Sequence, residues 1–176
     1  MILGAVLAGG QSRRFGSDKA LAMLGGETLL MRAVDTLSGW CEKVVVVGRE
    51  EAPAPTLPDW FGPGLGPLAG IAAALHDALD EGYDLVLTCG VDSIDLPDDL
   101  PRLLMPAPAF LADQPVVGLW PASAAKVVEN ILRGDGKHSM RAFAEAIGAR
   151  AVVTGQGTSN INTPDDLAAA EQRRGL

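Results

Sequence analysis

The sequence lacks the features that define several large classes of protein. Its two cysteines, Cys41 and Cys89, stand far apart and form no C-x-x-C pair, so we expect buried thiols rather than a disulfide framework. No stretch approaches the roughly 18 consecutive apolar residues that a membrane-spanning helix needs. The apolar stretch at the start is short and precedes its basic residues, the reverse of a secretory signal. We therefore expect a cytoplasmic protein with no membrane partner.

Positive charge is also scarce. The 176 residues include 14 Lys and Arg against 22 Asp and Glu, which gives a formal net charge of -8. Because nucleic acid binding needs a basic face, no nucleic acid partner is expected, although a small phosphorylated ligand needs only a few local cations. With 48% hydrophobic and 20% charged residues, the chain is too apolar to be disordered. Its length predicts one domain over residues 1–176.

Short apolar runs alternate with amphipathic segments along the chain. The runs show no polar alternation, which is typical of strands whose two faces are both covered by helices. Strands separated by helices favour an α/β fold with a mainly parallel sheet, whose ligands bind beyond the carboxyl ends of the strands. The predicted strands are Ile2–Ala8, Val44–Val47, Leu85–Thr88, Val116–Leu119 and Val152–Val153. The predicted helices cover residues 28–38, 68–79, 98–104, 122–133, 139–147 and 164–173.

The loop after the first predicted strand reads Leu-Ala-Gly-Gly-Gln-Ser-Arg-Arg-Phe-Gly-Ser-Asp-Lys over residues 7–19. Its glycine spacing matches neither a P-loop nor a G-x-G-x-x-G motif. Gly9 and Gly10 carry no Cβ, so the backbone can approach a ligand and offer N–H groups to phosphate oxygens. Arg13, Arg14 and Lys19 add three cations. The alternative is a solvated loop with an ordinary glycine turn.

Carboxylates follow two other predicted elements. Asp92 comes just after the third strand and is a candidate Mg²⁺ ligand, whereas Asp98 and Asp99 are explained by the dipole of the helix they begin. Asp59 stands alone in a proline-rich loop over residues 52–68. That loop leads to Gly66, where the start of a helix can bind an anion or a polar ring.

Zinc and nucleophilic chemistry have no support in the sequence. The two histidines, His76 and His138, are far apart and no paired cysteines accompany them. No G-x-S-x-G motif is present, and neither Ser12 nor Ser17 has an evident base.

Four motifs together resemble a known family. Leu-Ala-Gly-Gly-x-Ser-x-Arg-x-Gly-x-Asp-Lys resembles the signature loop of nucleotide-sugar-pyrophosphorylase-like nucleotidyltransferases, in the version found in molybdenum cofactor guanylyltransferases. Gly-Pro-Leu-Ala-Gly-Ile over 66–71, Asp92 followed by Pro97, and Asn-Ile-Asn-Thr-Pro-Asp-Asp-Leu over 160–167 resemble the other three motifs. They occur in family order and span nearly the whole chain.

The resemblance implies a three-layer α/β/α sandwich that joins GTP to molybdopterin carrying molybdenum and releases pyrophosphate. It implies Mg²⁺ on Asp92, charge stabilisation by Lys19, Arg14 and Asp92, and Asn160 and Asn162 near the acceptor substrate. The nucleotide-binding set consists of Leu7, Ala8, Gly9, Gly10, Lys19, Asp59, Gly66 and Asp92. Molybdoenzyme apoproteins or cofactor chaperones are the further partners to be considered.

One position of the glycine pair bears on the base. Cytidylyl relatives carry Leu-Ala-Ala-Gly, so Gly9 favours guanine. The sequence departs from relatives in the Ser-Ile-Asp-Leu-Pro stretch after Asp92, in Val47-Gly48, and in a short segment over 105–115 where relatives have a fuller strand. Two alternatives remain open: cytidylyl transfer to molybdopterin or transfer to a sugar phosphate, and a non-catalytic nucleotide-binding regulator or cofactor chaperone.

Overall fold

A computed structural model describes residues 1–10, 15–155 and 157–176. The strands in chain order are β1 Ile2–Leu7, β2 Met23–Leu24, β3 Glu27–Thr28, β4 Lys43–Val47, β5 Thr56–Leu57, β6 Leu85–Gly90, β7 Ser93–Ile94, β8 Ala109–Leu111, β9 Gln114–Pro121, β10 Arg150–Val152 and β11 Ser159–Asn160. The helices are α1 Leu29–Ser38, α2 Pro67–Glu81, α3 Leu100–Leu103, α4 Ala125–Arg133, α5 Met140–Ala146 and α6 Pro164–Arg173, with 3₁₀ turns at Lys19–Leu21 and Ala122–Ala124.

The central sheet has the order β10-β8-β9-β6-β1-β4-β5, with β1 between two parallel neighbours. The predicted mainly parallel α/β fold is therefore confirmed. Strand β9 is the exception, because it runs antiparallel to both β6 and β8. A tight turn pairs Leu111 with Gln114, and so short a connection joins only antiparallel strands.

Helices cover both faces of the sheet, as the unbroken apolar runs predict. Alternate residues of β4 point to opposite sides, so that Val45 and Val47 pack in one core while Val44 and Val46 pack in the other. Helices α2, α4 and α5 cover the first face, and α1 and α3 cover the second. Among the described residues, no helix is long and apolar enough to cross a membrane.

The sequence predicts both ends of α1 correctly, but it predicts the ends of β10 and α3 less well. Helix α1 begins after Thr28, whose hydroxyl accepts from the Met31 backbone N–H at 3.1 Å, and it ends at Gly39 as predicted. The last strand was placed too far along the chain, because β10 ends at Val152 and Val153 is 85% exposed. The helix expected over 98–104 is a single turn.

The short segment over 105–115 holds a strand that the sequence did not predict. This strand is β8, whose residues Ala109 and Leu111 are fully buried. The many prolines of the segment hid the strand, because they break the apolar run on both sides. Cys89 is buried as expected, and Cys41 is half-buried.

A buried tryptophan joins β9 to β6. Trp120 is fully buried and donates its indole N–H to the Thr88 hydroxyl at 2.9 Å. Its ring packs against that of Phe143, with the two ring centroids 5.2 Å apart. Its ring lies over Gly118 of the same strand, where a Cβ would meet Trp120 Cε2 at 2.5 Å. The absence of a side chain at Gly118 therefore makes room for the ring.

We predict that Gly118→Ala destabilises the fold by about 1–3 kcal/mol, because the buried ring has no open space into which it can move. The measurement is the free energy of unfolding in urea. Gly136→Ala is the matched control, since a Cβ there meets nothing within 4 Å. Equal urea midpoints of unfolding for the two variants would show that the Trp120 ring can repack around the added methyl group.

Candidate active site

A cleft of about 810 Å³ opens at the carboxyl ends of the central strands, where the topology predicted a ligand. It brings together the end of β1, the end of β6, the loop before α2, the β8–β9 turn and β11. The residues that line it are Leu7, Gly9, Gly10, Val47, Asp59, Pro63, Gly64, Gly66, Pro67, Gly70, Gly90, Asp92, Asp113, Gln114, Pro115, Val116 and Asn160.

Gly9, which lines the cleft, is in close contact with a second glycine, Gly48. A Cβ at Gly48 would lie 2.6 Å from the Gly9 Cα, so the backbones after β1 and β4 approach closely only because both residues are glycine. A Cβ at Gly9 would also meet Asp59 Oδ2 at 2.9 Å. Gly9 is not among the glycines with positive φ, so space, rather than backbone strain, requires glycine here.

The Asp59 carboxylate lies between the backbone of α2 and the backbone at Gly9, which follows β1. A Cβ at Gly70 of α2 would lie 3.4 Å from Asp59 Oδ1. Burial raises the pKa of the Asp59 carboxyl above its usual range, and within the described ranges no hydrogen bond or ion pair engages it. A half-buried carboxylate with a raised pKa in a cleft is typical of a residue in a functional site.

The loop that carries Asp59 is anchored beside it. The Trp60 backbone N–H donates to the Ala69 carbonyl at 3.1 Å, and the Trp60 ring stacks on His76 with centroids 3.9 Å apart and planes 9° apart. His76 in turn lies 3.5 Å from a Glu129 oxygen on α4. These contacts fix the proline-rich loop against α2.

An ion pair closes the other side of the cleft. The Lys19 ammonium donates to Asp92 Oδ2 at 2.7 Å, and the two side chains are only 15% and 20% exposed. Strand β11 pairs antiparallel with β7 and places Asn160 opposite Ser93. With its amide nitrogen turned towards Asp92, Asn160 donates to both carboxylate oxygens at 3.1 Å.

The side chains of Asp92 and Asn160 are also suited to bind a divalent cation. If the Asn160 amide is turned the other way, its oxygen lies beside the carboxylate of Asp92, and both are hard oxygen donors of the kind that Mg²⁺ prefers. Mg²⁺ usually takes one or two protein ligands, with phosphates and water supplying the others. In the part of the chain that is described, no cluster of three or more His, Cys, Asp or Glu side chains is present, so a site held by protein alone is not indicated.

Not every residue in the predicted set lies at the cleft. Ala8 is buried and does not line the cleft itself, although its backbone N–H donates at 2.9 Å to the carbonyl of Val47, which does. The Asn162 backbone N–H donates at 2.9 Å to Asp166, whose carboxylate caps α6 and whose pKa is lowered by that bond. Asn162 therefore lies next to the site without lining it. Arg14 lies outside the described residues.

Other predicted positions are well placed. Gly10 lines the cleft with open space around its Cα. Gly66 is the N-cap residue of α2, with φ of 75° and ψ of -169°, a conformation that glycine alone adopts readily. Asp95, three residues after Asp92, pairs with Arg174 at 2.6 Å and lines a separate cleft of about 440 Å³ beside α1.

The sequence reasoning missed the wall made by the β8–β9 turn. Asp113 accepts from the Thr158 hydroxyl at 2.7 Å, and Gln114 donates to that same hydroxyl at 2.8 Å. These bonds hold the segment before β11, and hence Asn160, against the sheet. Without a prediction of β8, no signal in the sequence directed attention to this turn.

Solved structures define the class of fold. Molybdopterin-guanine dinucleotide biosynthesis protein A from Archaeoglobus fulgidus superposes with a TM-score of 0.78, at 23% identity, over 98% of each chain. A nucleotidyl transferase from Methanothermobacter thermautotrophicus superposes with a TM-score of 0.74, at 17% identity, over 100% of this chain and 99% of that one. The fold is that of Rossmann-like nucleotidyltransferases.

Sequence comparison then identifies the family. The MobA-like NTP transferase domain matches residues 4–158, and the chain belongs to that family. The molybdenum cofactor guanylyltransferase of Acidiphilium cryptum is 39% identical, over 96% of this chain and 93% of the relative. That of Rhodobacter capsulatus is 36% identical, over 98% and 96%. The resemblance drawn from the four motifs is confirmed.

Proposed function

We propose that this protein is a molybdenum cofactor guanylyltransferase, which transfers GMP from GTP to the phosphate of molybdenum-molybdopterin and releases pyrophosphate. The observation that carries the proposal is the convergence of Lys19, Asp92 and Asn160 on one cleft, opposite Gly9 and Asp59. Guanylyl transfer is also the activity named for the relatives with 36–39% identity. The transferase domain spans the whole chain in this proposal.

The chemistry needs positioning and charge stabilisation more than proton transfer. An oxygen of the acceptor phosphate forms a bond to the α-phosphorus of GTP, while the bond from that phosphorus to the bridging oxygen breaks and pyrophosphate leaves. The attacking oxygen is already anionic at neutral pH, so no general base is required. The charge that accumulates on the phosphates must instead be neutralised, and this is the role of Lys19 and, as implied by the family motif, of Arg14.

Each side of the cleft has its own task. The Gly9–Gly10 backbone and the start of α2 at Gly66 face the nucleotide, with Leu7 as an apolar wall. The Asp59 carboxylate is an acceptor for the N–H donors of guanine or for the ribose hydroxyls. Asn160 and the nearby Asn162 lie on the side assigned to the acceptor.

Mg²⁺ is the metal that the donor set favours. Asp92 and Asn160 would hold it, and when bound it neutralises phosphate charge during transfer. In the described structure Lys19 already neutralises Asp92 at 2.7 Å. A cation on Asp92 therefore competes with the Lys19 ammonium, and Lys19 becomes available to the phosphates of an incoming nucleotide.

The test of this function is a panel of the four nucleoside triphosphates, each assayed for pyrophosphate release with and without molybdenum-molybdopterin. We expect release with GTP only when the acceptor and Mg²⁺ are both present. Asp92→Asn should lower kcat/KM by roughly 100-fold or more, by analogy with lost electrostatic stabilisation. Nucleotide binding without any turnover would favour the regulator, and turnover with CTP or with a sugar phosphate would favour the other transferases.

We predict that Lys19→Met raises the affinity of the nucleotide-free protein for Mn²⁺ by about 3- to 10-fold, although it impairs catalysis. The reason is that the variant frees the Asp92 carboxylate from an ion pair worth on the order of 1 kcal/mol. Mn²⁺ binding is measured by electron paramagnetic resonance. Lys43→Met, which removes the same charge from a surface pair with Glu81, is the control and should change little. Weaker binding in Lys19→Met would contradict the competition.

We predict that Gly9→Ala lowers the ratio of kcat/KM for GTP over CTP by at least about 10-fold, a discrimination of roughly 1.4 kcal/mol. The added methyl would press on Asp59 Oδ2, from which an ideal Cβ is 2.9 Å away, and so displace the group proposed to face guanosine. Gly136→Ala, where a Cβ meets nothing within 4 Å and which does not line the cleft, is the control. If the ratio moves equally in both variants, Asp59 is not the base selector.

A further inference from the structure

One cation beside the cleft has no role in the mechanism above. Arg49 follows Gly48 at the carboxyl end of β4, and its side chain is only 20% exposed. Its guanidinium donates to both oxygens of Asp18, with Nη1–Oδ1 at 3.0 Å and Nη2–Oδ2 at 2.9 Å. The Arg49 guanidinium holds the pKa of the Asp18 carboxyl below its usual range.

Asp18 is the residue immediately before the proposed phosphate-directed lysine. Besides Arg49, its carboxylate accepts from the Ala20 backbone N–H at 3.2 Å and so caps the turn that begins at Lys19. Asp18 is thus fixed to the sheet through its side chain and fixes the turn through its own cap. Lys19 is the first residue of that turn, and its ammonium reaches Asp92, which lies 73 residues further along the chain.

The geometry suits an arginine in particular. A bidentate pair fixes the orientation of both partners, whereas a lysine at the same place supplies one point charge on a flexible stem. An exposed ion pair that lacks such geometry contributes little to stability. Orientation is therefore what this pair can supply, and a misplacement of about 1 Å in a charge-stabilising group can cost roughly 100-fold in rate.

We propose that Arg49 is a positioning residue, which acts through Asp18 to hold the Lys19 turn at the cleft and thereby keeps the Lys19 ammonium on Asp92 or on the phosphates. Arg49 touches no substrate in this arrangement, and we call its ion pair with Asp18 the clamp. The catalytic part of the inference rests on the proposed function, whereas its structural part concerns only the Lys19–Asp92 ion pair and stands without any turnover.

The first experiment is a double-mutant cycle on activity. Arg49→Met is made in the wild-type and in the Lys19→Met protein, and kcat and KM for GTP are measured in each. We expect kcat to fall about 10-fold in the wild-type background and less than about 2-fold in the Lys19→Met background, because the clamp acts only through Lys19. Arg49→Lys should restore little of the loss, and Asp18→Asn should reproduce it.

The second experiment does not depend on turnover. If the clamp holds Lys19 on Asp92, Arg49→Met raises Mn²⁺ affinity in the nucleotide-free protein, and the double variant with Lys19→Met binds no more tightly than Lys19→Met alone. Arg102→Met on α3, which removes an exposed pair with Asp99, is the control and should change neither kinetics nor Mn²⁺ binding. Thermal unfolding of every variant separates loss of the clamp from loss of the fold.

The outcomes separate the two proposals. Equal losses of kcat in both backgrounds, or wild-type kcat in Arg49→Met, would overturn the positioning role. A raised Mn²⁺ affinity in Arg49→Met together with no transferase activity in the wild type would support the clamp and reject the proposed function. Unchanged Mn²⁺ affinity in Arg49→Met, while Lys19→Met binds more tightly, would reject the clamp alone.

Discussion

The salt bridge between Lys19 and Asp92 is the interaction on which the site depends. It joins the loop after β1 to the end of β6, two neighbouring strands in the centre of the sheet, across 73 residues of chain. Both charges are largely buried, so each needs a partner whenever the cleft is empty. In the proposed function, a divalent cation would replace Lys19 beside Asp92, and a triphosphate would replace Asp92 beside Lys19.

Around that pair, the fold supplies rigid attachments for groups that come from loops. The β11–β7 pairing holds Asn160 over Asp92, and the Asp113 and Gln114 bonds to Thr158 hold the segment before β11. The Arg49–Asp18 pair attaches the Lys19 turn to β4. Because a loop orders its side chains only when it is anchored in this way, the precision of the site comes from contacts that are remote from the reacting atoms.

On the side of the cleft that is proposed to bind the nucleotide, space limits which side chains fit. Gly9 and Gly48 let two backbones meet, and Asp59 fills the volume that a side chain at Gly9 would occupy. Burial disfavours the charged form of the Asp59 carboxyl, which raises its pKa. A ligand that donates hydrogen bonds to the carboxylate would therefore be favoured. The difference between a glycine and an alanine in the signature loop is thereby connected to a carboxylate 50 residues away by direct contact.

The sequence by itself determined the parts of this protein that depend on local patterns. Apolar runs such as Val44–Val47 predicted a sheet covered on both faces, Thr28 and Gly39 set the limits of α1, and four motifs identified the family. Tertiary structure alone decided the rest, because it depends on pairing between distant segments. Strand β8 is too short and too rich in neighbouring prolines to be seen locally, and β9 runs antiparallel because of its turn with β8. The reason for glycine at position 9 and the connection from Arg49 through Asp18 to Lys19 exist only where the ends of β1, β4 and β6 meet.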